Sequence, residues 1–252
     1  MLSDPWFYAV AIPAVLLVGI SKSGFGGAFG AVAVPLMAIV ISPVQAAGIL
    51  LPILCFMDLL GLWAYRGKWV RGELRVLVPA ALLGIAAGTL LFGYMSADVV
   101  RLIVGTISLV FAVHYWVHLS RPESRRSPVP RATGIAGGAA AGFTSFVAHA
   151  GGPPLSMYLL RRPLDKTQFV ATTVMFFAVV NYVKLVPYAW LGQFSTGNLA
   201  ASLLLAPFAP IGIAAGIWLH DRIPERLFFR SACLFLFALS LKMISDGVRG
   251  LS

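Results

Sequence analysis

The chain has 252 residues, of which 59% are hydrophobic and only 11% are charged, and its formal net charge is +10. Soluble globular domains contain about 25% charged residues, so this composition, with a mean hydropathy of +0.88, excludes an ordinary soluble domain. The basic residues stand in short runs between apolar segments, without interleaved aromatic side chains, which argues against nucleic-acid binding. The composition therefore predicts an all-α polytopic membrane protein.

Three sequence blocks recur in the same order in the two halves of the chain, and the offset between the copies rises only from 118 to 128 residues. The paired blocks are 24–35 with 142–153, 67–74 with 192–199, and 79–88 with 207–216. Such an ordered recurrence predicts an internal duplication. Its first repeat is placed at 1–120, a linker at 121–131 and the second repeat at 132–252.

The charged loops predict how the two repeats are oriented. Four loops hold 14 of the 19 lysines and arginines and are assigned to the cytoplasm by the positive-inside rule: 66–75, 119–131, 161–166 and 220–230. In the repeat, however, the basic loop 66–75 corresponds to the uncharged loop 191–197, and the weakly charged loop 94–101 corresponds to 220–230. Equivalent loops then face opposite sides, which indicates inverted repeats that each cross the membrane an odd number of times.

An odd number of crossings requires the segments 5–41 and 132–160 to return to the side that they entered. The second segment would measure about 45 Å as one helix, which is too long for one level span and too short for two. Glycines and prolines interrupt both segments, so each is predicted to be a hairpin of two shortened helices. Three conventional spans follow in each repeat: 44–65, 75–94, 99–119, 165–190, 197–219 and 227–248. An eight-helix fold of two parallel four-helix repeats is the alternative.

The candidate binding site lies at the two interrupted segments, 19–35 and 137–154. In transporters with inverted repeats, broken helices near mid-membrane expose backbone groups to the substrate. A helix amino terminus carries free N–H groups and about half a positive charge, so two such ends would attract an anion. The binding residues predicted from these segments are Ser21, Lys22, Ser23, Gly24, Gly26, Gly27, Thr144, Ser145, His149, Gly151 and Gly152.

Each of these residues also has a structural interpretation. The small residues can simply let helices pack closely, although packing does not explain a lysine and a histidine in the same segments. Lys22 is alternatively an interfacial anchor, and His149 is alternatively a hydrogen-bonded structural histidine.

Three polar residues within the equivalent spans complete the candidate set. Asp58 and Lys184 fall next to each other when the halves are aligned at offset 125. An ionisable residue inside a membrane is costly unless it is paired or wetted, so the two are predicted to form an ion pair or to couple transport. Asn181 and Lys184 are added to the predicted binding residues. No metal site, nucleotide loop or catalytic triad is expected.

At these residues the chain resembles the TauE/SafE family of sulfite exporters. The similar segments are 19–38, 42–69, 142–160, 164–194 and 207–216. The resemblance implies export or exchange of small anions such as sulfite or organosulfonates, sulfoacetate among them, across the bacterial inner membrane. The partners it implies are the anion and the lipid bilayer, and it implies no organic cofactor.

The function expected is therefore that of a secondary anion transporter with alternating access. A passive anion channel is the main alternative, because both classes use helix ends and small residues. An intramembrane enzyme would need a constellation of acids and bases, for which only Asp58, His149 and Lys184 are available.

Overall fold

The computed structural model describes residues 4–24, 27, 30–92, 94–119, 129–220, 222 and 225–251, in which all regular secondary structure is helical. The first half contains α1 (Pro5–Gly24), a 3-10 turn (Gly30–Val32), α2 (Ala33–Met37), α3 (Pro43–Ala64), α4 (Arg71–Phe92) and α5 (Ala97–Leu119). The second half contains α6 (Thr133–Ala148), α7 (Gly152–Leu159), α8 (Lys166–Trp190), α9 (Thr196–Leu205), α10 (Phe208–His220) and α11 (Glu225–Leu251). Gly26 and most of the predicted linker, 121–128, lie outside the described residues.

Several of these helices are long and apolar enough to cross a membrane. By length and composition, five described helices qualify, namely α1, α3, α4, α5 up to His114 and α8, and the count is six when the bent pair α9 and α10 is taken as one span. The prediction of a polytopic α-helical membrane protein is thus confirmed. The predicted spans 44–65, 75–94, 99–119 and 165–190 correspond to α3, α4, α5 and α8.

Two predicted elements differ from the structure. The predicted conventional span 197–219 consists of two helices, α9 and α10, bent by 43° at Pro207, which has no N–H to donate and whose ring crowds the carbonyl one turn earlier. The first predicted hairpin does not consist of two shortened helices, because α1 has 20 residues and only α2 is short. The glycine-rich break begins only at Gly24, so nothing interrupts α1 before it is about 30 Å long.

The two halves show the same order of elements, a long helix, a short helix and three further spans, with α9 and α10 together matching α4. The equivalent helices α3 and α8 pack against each other in opposite directions, because Asp58 contacts Asn181 while Gly61, one turn further on, contacts Val174. The equivalent helices α5 and α11 also pack antiparallel. A parallel repeat would make equivalent helices run in the same direction, so this packing supports the inverted repeat.

The first helix of each half packs against a helix of the other half through glycines: α1 against α10, and α6 against α4. Along α1 and α10, a Cβ atom added at Gly19 would lie 2.8 Å from the backbone of Gly212, and one added at Gly24 would lie 2.7 Å from the carbonyl oxygen of Gly216. Such distances leave no room for any side chain.

The contact between α4 and α6 repeats this arrangement. A Cβ atom at Gly138 would lie 2.7 Å from the carbonyl oxygen of Leu77, and Gly84 and Gly142 would overlap the backbone of the facing helix in the same way. We call these two contacts, α1 with α10 and α4 with α6, the glycine seams. Both copies of the repeated GIAAG block, 84–88 and 212–216, lie in a seam.

Candidate functional site

A cavity lies between the two halves, where both interrupted segments meet α3 and α8. Its polar lining consists of Lys22 from the first half with Ser145, His149 and Asn181 from the second, and glycine and apolar side chains complete it. Its volume is about 20 Å³, enough for about one water molecule. We call it the central cavity.

A buried carboxylate holds two of the lining residues from behind. The ammonium of Lys22, which is only 7% exposed, lies 2.5 Å from Oδ1 of the fully buried Asp58. The other carboxylate oxygen accepts a hydrogen bond of 2.7 Å from the side-chain amide of Asn181. Asp58 thus links α1 to α8 and neutralises Lys22, as a buried charge requires.

A buried lysine holds the other two polar lining residues. Nζ of Lys184 lies 2.9 Å from the carbonyl oxygen and 3.0 Å from the hydroxyl of Ser145. The same nitrogen lies 2.8 Å from Nδ1 of His149. Lys184 on α8 and Asp58 on α3 therefore have matching positions, each behind two polar residues of the cavity.

The hydrogen bonds assign the tautomer of His149. Its Nε2 lies 2.9 Å from the carbonyl oxygen of Ala47, which can only accept, so Nε2 carries a proton. Nδ1 is then the nitrogen that faces Lys184, and it accepts from the ammonium when the imidazole is neutral.

The backbone of His149 is also unusual. With φ of 53° and ψ of 24°, it is the non-glycine residue with positive φ among the described residues. It follows the end of α6, where glycine is the usual residue. A side chain in this conformation costs about 1–3 kcal/mol, and such strain is concentrated at functional sites.

The ends of α1 and α6 lie inside the protein and are fixed by tyrosines. The Tyr65 hydroxyl donates to the carbonyl oxygen of Ser23 over 2.9 Å, and the Tyr188 hydroxyl donates to that of Phe146 over 2.6 Å. These carbonyls belong to the last turns of their helices, where intrahelical donors run out. Tyr65 directly follows α3 and Tyr188 lies in α8, so the two tyrosines belong to equivalent parts of the two halves.

Five predicted residues line the central cavity: Lys22, Gly27, Ser145, His149 and Asn181. Two helix amino termini are predicted to meet at the site, but the central cavity is not lined by two such ends. The carboxyl-terminal ends of α1 and α6 supply the lysine and the histidine, and only the first half adds an amino-terminal end, at Gly30 and Ala33.

Several other predicted residues have packing contacts instead. Ser23 donates to the carbonyl oxygens of Gly19 and Ile213 and joins α1 to α10, with Gly24 in the same seam. Thr144 donates to the carbonyl of Ala140 within its own helix.

The remaining predicted residues lie near the breaks. Ser21 is buried, and its carbonyl accepts from the amide of Gly27, whose φ is +74°. Gly151 precedes α7, and a Cβ atom there would lie 2.5 Å from the carbonyl oxygen of Ala141. Gly152 begins α7 and is buried. Gly26 is among the residues that the structure does not describe.

The observed ion pair joins Lys22 to Asp58, so the predicted pairing of Asp58 with Lys184 is wrong in its partner. The two acidic oxygens are already occupied by Lys22 and Asn181. Sequence reasoning also missed the carbonyl of Ala47, for which a sequence carries no signal. The spacing of Asn181 and Lys184, three residues apart on one helix, could have indicated a shared face.

Two further polar clusters lie at the starts of α4 and α9, which are equivalent elements. Glu73, only 2% exposed, accepts from the Tyr158 hydroxyl at 2.5 Å and from Nε of Arg162 at 3.0 Å. At offset 125 its counterpart is Asn198, whose side-chain oxygen accepts from Gln45 at 3.3 Å. The cluster in the predicted cytoplasmic loops is therefore ionic, and its counterpart is neutral.

Taken together, the spanning helices and the buried polar residues that line a small cavity between the halves define a multi-pass membrane protein. The family described as "Sulfite exporter TauE/SafE" matches residues 11–243, and the chain belongs to this family. The resemblance noted in the sequence is thereby confirmed, and the chain is a membrane transport protein. No curated protein and no solved structure matches it.

Proposed function

We propose that the protein is a secondary carrier that exports a small anion, such as sulfite or an organosulfonate, across the bacterial inner membrane by alternating access to the central cavity. The observation that carries this proposal is the charge of the cavity wall. Of the two buried lysines at the site, Lys22 is paired with the buried carboxylate of Asp58, whereas the hydrogen bonds of Lys184 go to Ser145 and His149.

The imbalance of charge favours an anionic ligand. Asp58 neutralises Lys22, whereas the hydrogen-bond partners of Lys184 are an uncharged serine and the imidazole of His149. A protonated Lys184 leaves the site with one uncompensated positive charge in a low-dielectric environment, which an anion would compensate. The Ser145 hydroxyl and the Asn181 amide add neutral donors to the same wall.

The size of the cavity supports a carrier that closes over its ligand. A volume of about 20 Å³ suits about one water molecule and not an oxyanion of four heavy atoms. Binding therefore requires the walls to separate, and the inverted halves offer two equivalent ways to do so, one toward each side of the membrane.

Flux in proteoliposomes tests the proposal. Purified protein should catalyse saturable counterflow of radiolabelled sulfite, and competition by sulfoacetate and other small anions should rank the substrates. We expect Lys22→Met to lower counterflow at least tenfold, because it removes a cation that lines the cavity. Lys68→Met changes an exposed loop lysine and should leave it unchanged.

Since Lys22→Met leaves Asp58 without its cation, the pair variant Lys22→Met/Asp58→Asn is tested beside it, and both are checked for a monodisperse profile in detergent. Folded variants with normal counterflow would refute the site. Ohmic single-channel currents would identify a channel, and chemical conversion of the anion in detergent would identify an enzyme.

A further inference from the structure

We propose that Lys184 and His149 together bind one transported proton, so that the anion and the proton cross the membrane together. This inference rests on the proposed function, because it assigns the coupling ion of the same site. It is carried by the hydrogen bonds of Lys184 and by the charge of its surroundings.

One proton lies between two nitrogens of this pair. The carbonyl of Ala47 fixes the hydrogen on Nε2 of His149, so the bond of 2.8 Å between Nδ1 and Nζ contains either an N–H of lysine or an N–H of histidine. When lysine is an ammonium or histidine an imidazolium, the pair carries one positive charge. Loss of one proton leaves both side chains neutral.

The surroundings of Lys184 can satisfy both states. As an ammonium, Nζ donates three hydrogen bonds, to the carbonyl and hydroxyl oxygens of Ser145 and to Nδ1 of His149. As an amine, it donates to the carbonyl and to Nδ1, and its lone pair accepts from the Ser145 hydroxyl, which can rotate to donate. A buried polar network usually favours one state, but here neither state leaves a buried group unsatisfied.

The neighbouring charges make the two states differ in ligand preference. Lys22 of α1 and Asp58 of α3 form a pair without net charge. The other buried titratable groups nearby, the Cys55 thiol of α3 and the Tyr188 phenol of α8, are uncharged in their ordinary state. Glu73 lies in the first turn of α4 and is bound there by Arg162 and by Tyr158 of α7.

The cavity wall is therefore neutral without the shared proton and has a charge of about one positive unit with it. An anion binds better to the positive wall, and by linkage the bound anion strengthens proton binding equally. The Ser145 hydroxyl, which both lines the cavity and contacts Nζ, gives the proton a short path between them. A singly charged anion made inside the cell would leave with a proton, and the step would be electrically neutral.

Lys184 does not line the cavity and acts through His149 and Ser145, so its test needs a readout beyond the rate of flux. Proteoliposomes are loaded with a pH-sensitive dye, and the membrane potential is clamped with potassium and valinomycin. Transport of methanesulfonate, whose charge is fixed, is compared with transport of sulfite. A gradient of one pH unit should concentrate methanesulfonate about tenfold on the alkaline side, and dye and isotope should report equal amounts of proton and anion.

Lys184→Arg separates coupling from binding, because arginine keeps its proton. Arginine keeps the positive charge beside the cavity, so we expect counterflow of methanesulfonate at a changed rate but no accumulation of methanesulfonate driven by pH. Sulfite itself binds a proton near neutral pH and redistributes with the pH gradient in both proteins, so the comparison of the variants uses methanesulfonate. Lys242→Arg, an exposed change on α11, should behave like the unmodified protein.

The possible failures are distinct. Absence of counterflow for every anion in the unmodified protein would refute the proposed function. Counterflow of methanesulfonate without proton movement, or a Lys184→Arg protein that still accumulates methanesulfonate with the pH gradient, would refute only the shared proton. If Lys184→Arg does not fold, Lys184→Met serves instead, and pH-driven accumulation in this variant would refute the inference equally.

Discussion

Lys22 and Asp58 form an ion pair that is almost completely removed from water. Such pairs add little net stability, because the loss of hydration offsets most of the attraction. Loss of one partner is much more damaging, since it leaves the other charge buried alone. The pair is therefore best understood as a means of keeping a cation beside the cavity within the membrane.

This balance can be measured with a double-mutant cycle. Asp58→Asn should lower the free energy of unfolding by about 3–5 kcal/mol, because Lys22 loses its counter-charge. Lys22→Met/Asp58→Asn should lose less than the sum of the two single changes. Denaturant unfolding in detergent gives these values, and Asp98→Asn, in a partly exposed pair with Arg101, should cost less than about 1 kcal/mol. Strictly additive losses would contradict a direct buried interaction.

Single residues of the site could be predicted better than their partners. Lys22, His149 and Lys184 stand out because ionisable groups are rare in apolar segments, and all three belong to the observed site. Their partners depend on how α1, α3 and α8 are rotated and shifted against each other. The alignment indicates Lys184 as the neighbour of Asp58, whereas in the structure Lys22 of α1 occupies the carboxylate.

At the level of elements, the glycine seams explain why the GIAAG block survives in both halves. Its two glycines are one helical turn apart and lie on one face of α4 or α10, where the opposing first helix approaches, with its backbone at Gly84 and Gly212 and with the Phe146 side chain at Gly88. Small residues at this spacing allow helices in a membrane to approach closely and gain dispersion energy. In the seams, the small residues thus serve close helix packing, as their structural interpretation predicts.

Two glycine substitutions should have effects of opposite sign. Gly142→Ala would place a methyl group into the backbone of Ala81 across the seam, and the forced separation should destabilise the protein by about 1–3 kcal/mol. Gly197→Ala in α9 meets open space and should be neutral or stabilise by up to about 1 kcal/mol through helix propensity. Thermal unfolding in detergent distinguishes the two variants. Equal unfolding midpoints would show that the helices of the seam can separate without loss of stability.

The elements themselves could be predicted to within a few residues wherever an apolar run had clear ends. The break between α9 and α10 is an exception. Pro79 and Pro207 occupy equivalent positions, but only Pro207 interrupts its helix. Pro207 is followed by Pro210 within the same turn, so two donors are missing, whereas Pro79 stands alone in α4. The length of α1 was also misjudged, because glycine composition shows that a segment breaks but not where.

At the level of the whole molecule, the two halves are crossed rather than side by side. Each half contributes its first helix to a seam with the other half, and α3 lies against α8 around the central cavity. The clusters at Glu73 and Asn198 occupy equivalent places in the repeat but differ in chemistry. If the halves are inverted, an ionic contact lies near one membrane surface and a neutral contact near the other.

Cysteine labelling in intact cells tests this orientation. In a protein whose buried Cys55 and Cys233 are replaced by alanine, Thr196→Cys should react with an impermeant maleimide, and Lys68→Cys should react only after the membrane is opened. Both positions are exposed; Lys68 lies in the loop before α4, and Thr196 begins α9, the equivalent element. Reaction of both from the same side would contradict the inverted repeat and restore the parallel arrangement.

The crossed seams also determine the order in which the protein can be assembled during synthesis. The partner of α1 in its seam is α10, which the ribosome makes near the end of the chain, so α1 enters the membrane long before its final contacts exist. Asp58 arrives much earlier, on the next long helix, and can neutralise Lys22 during this interval. The same carboxylate that holds the lysine beside the cavity would thus also make the first helix tolerable to lipid while the second half is being translated.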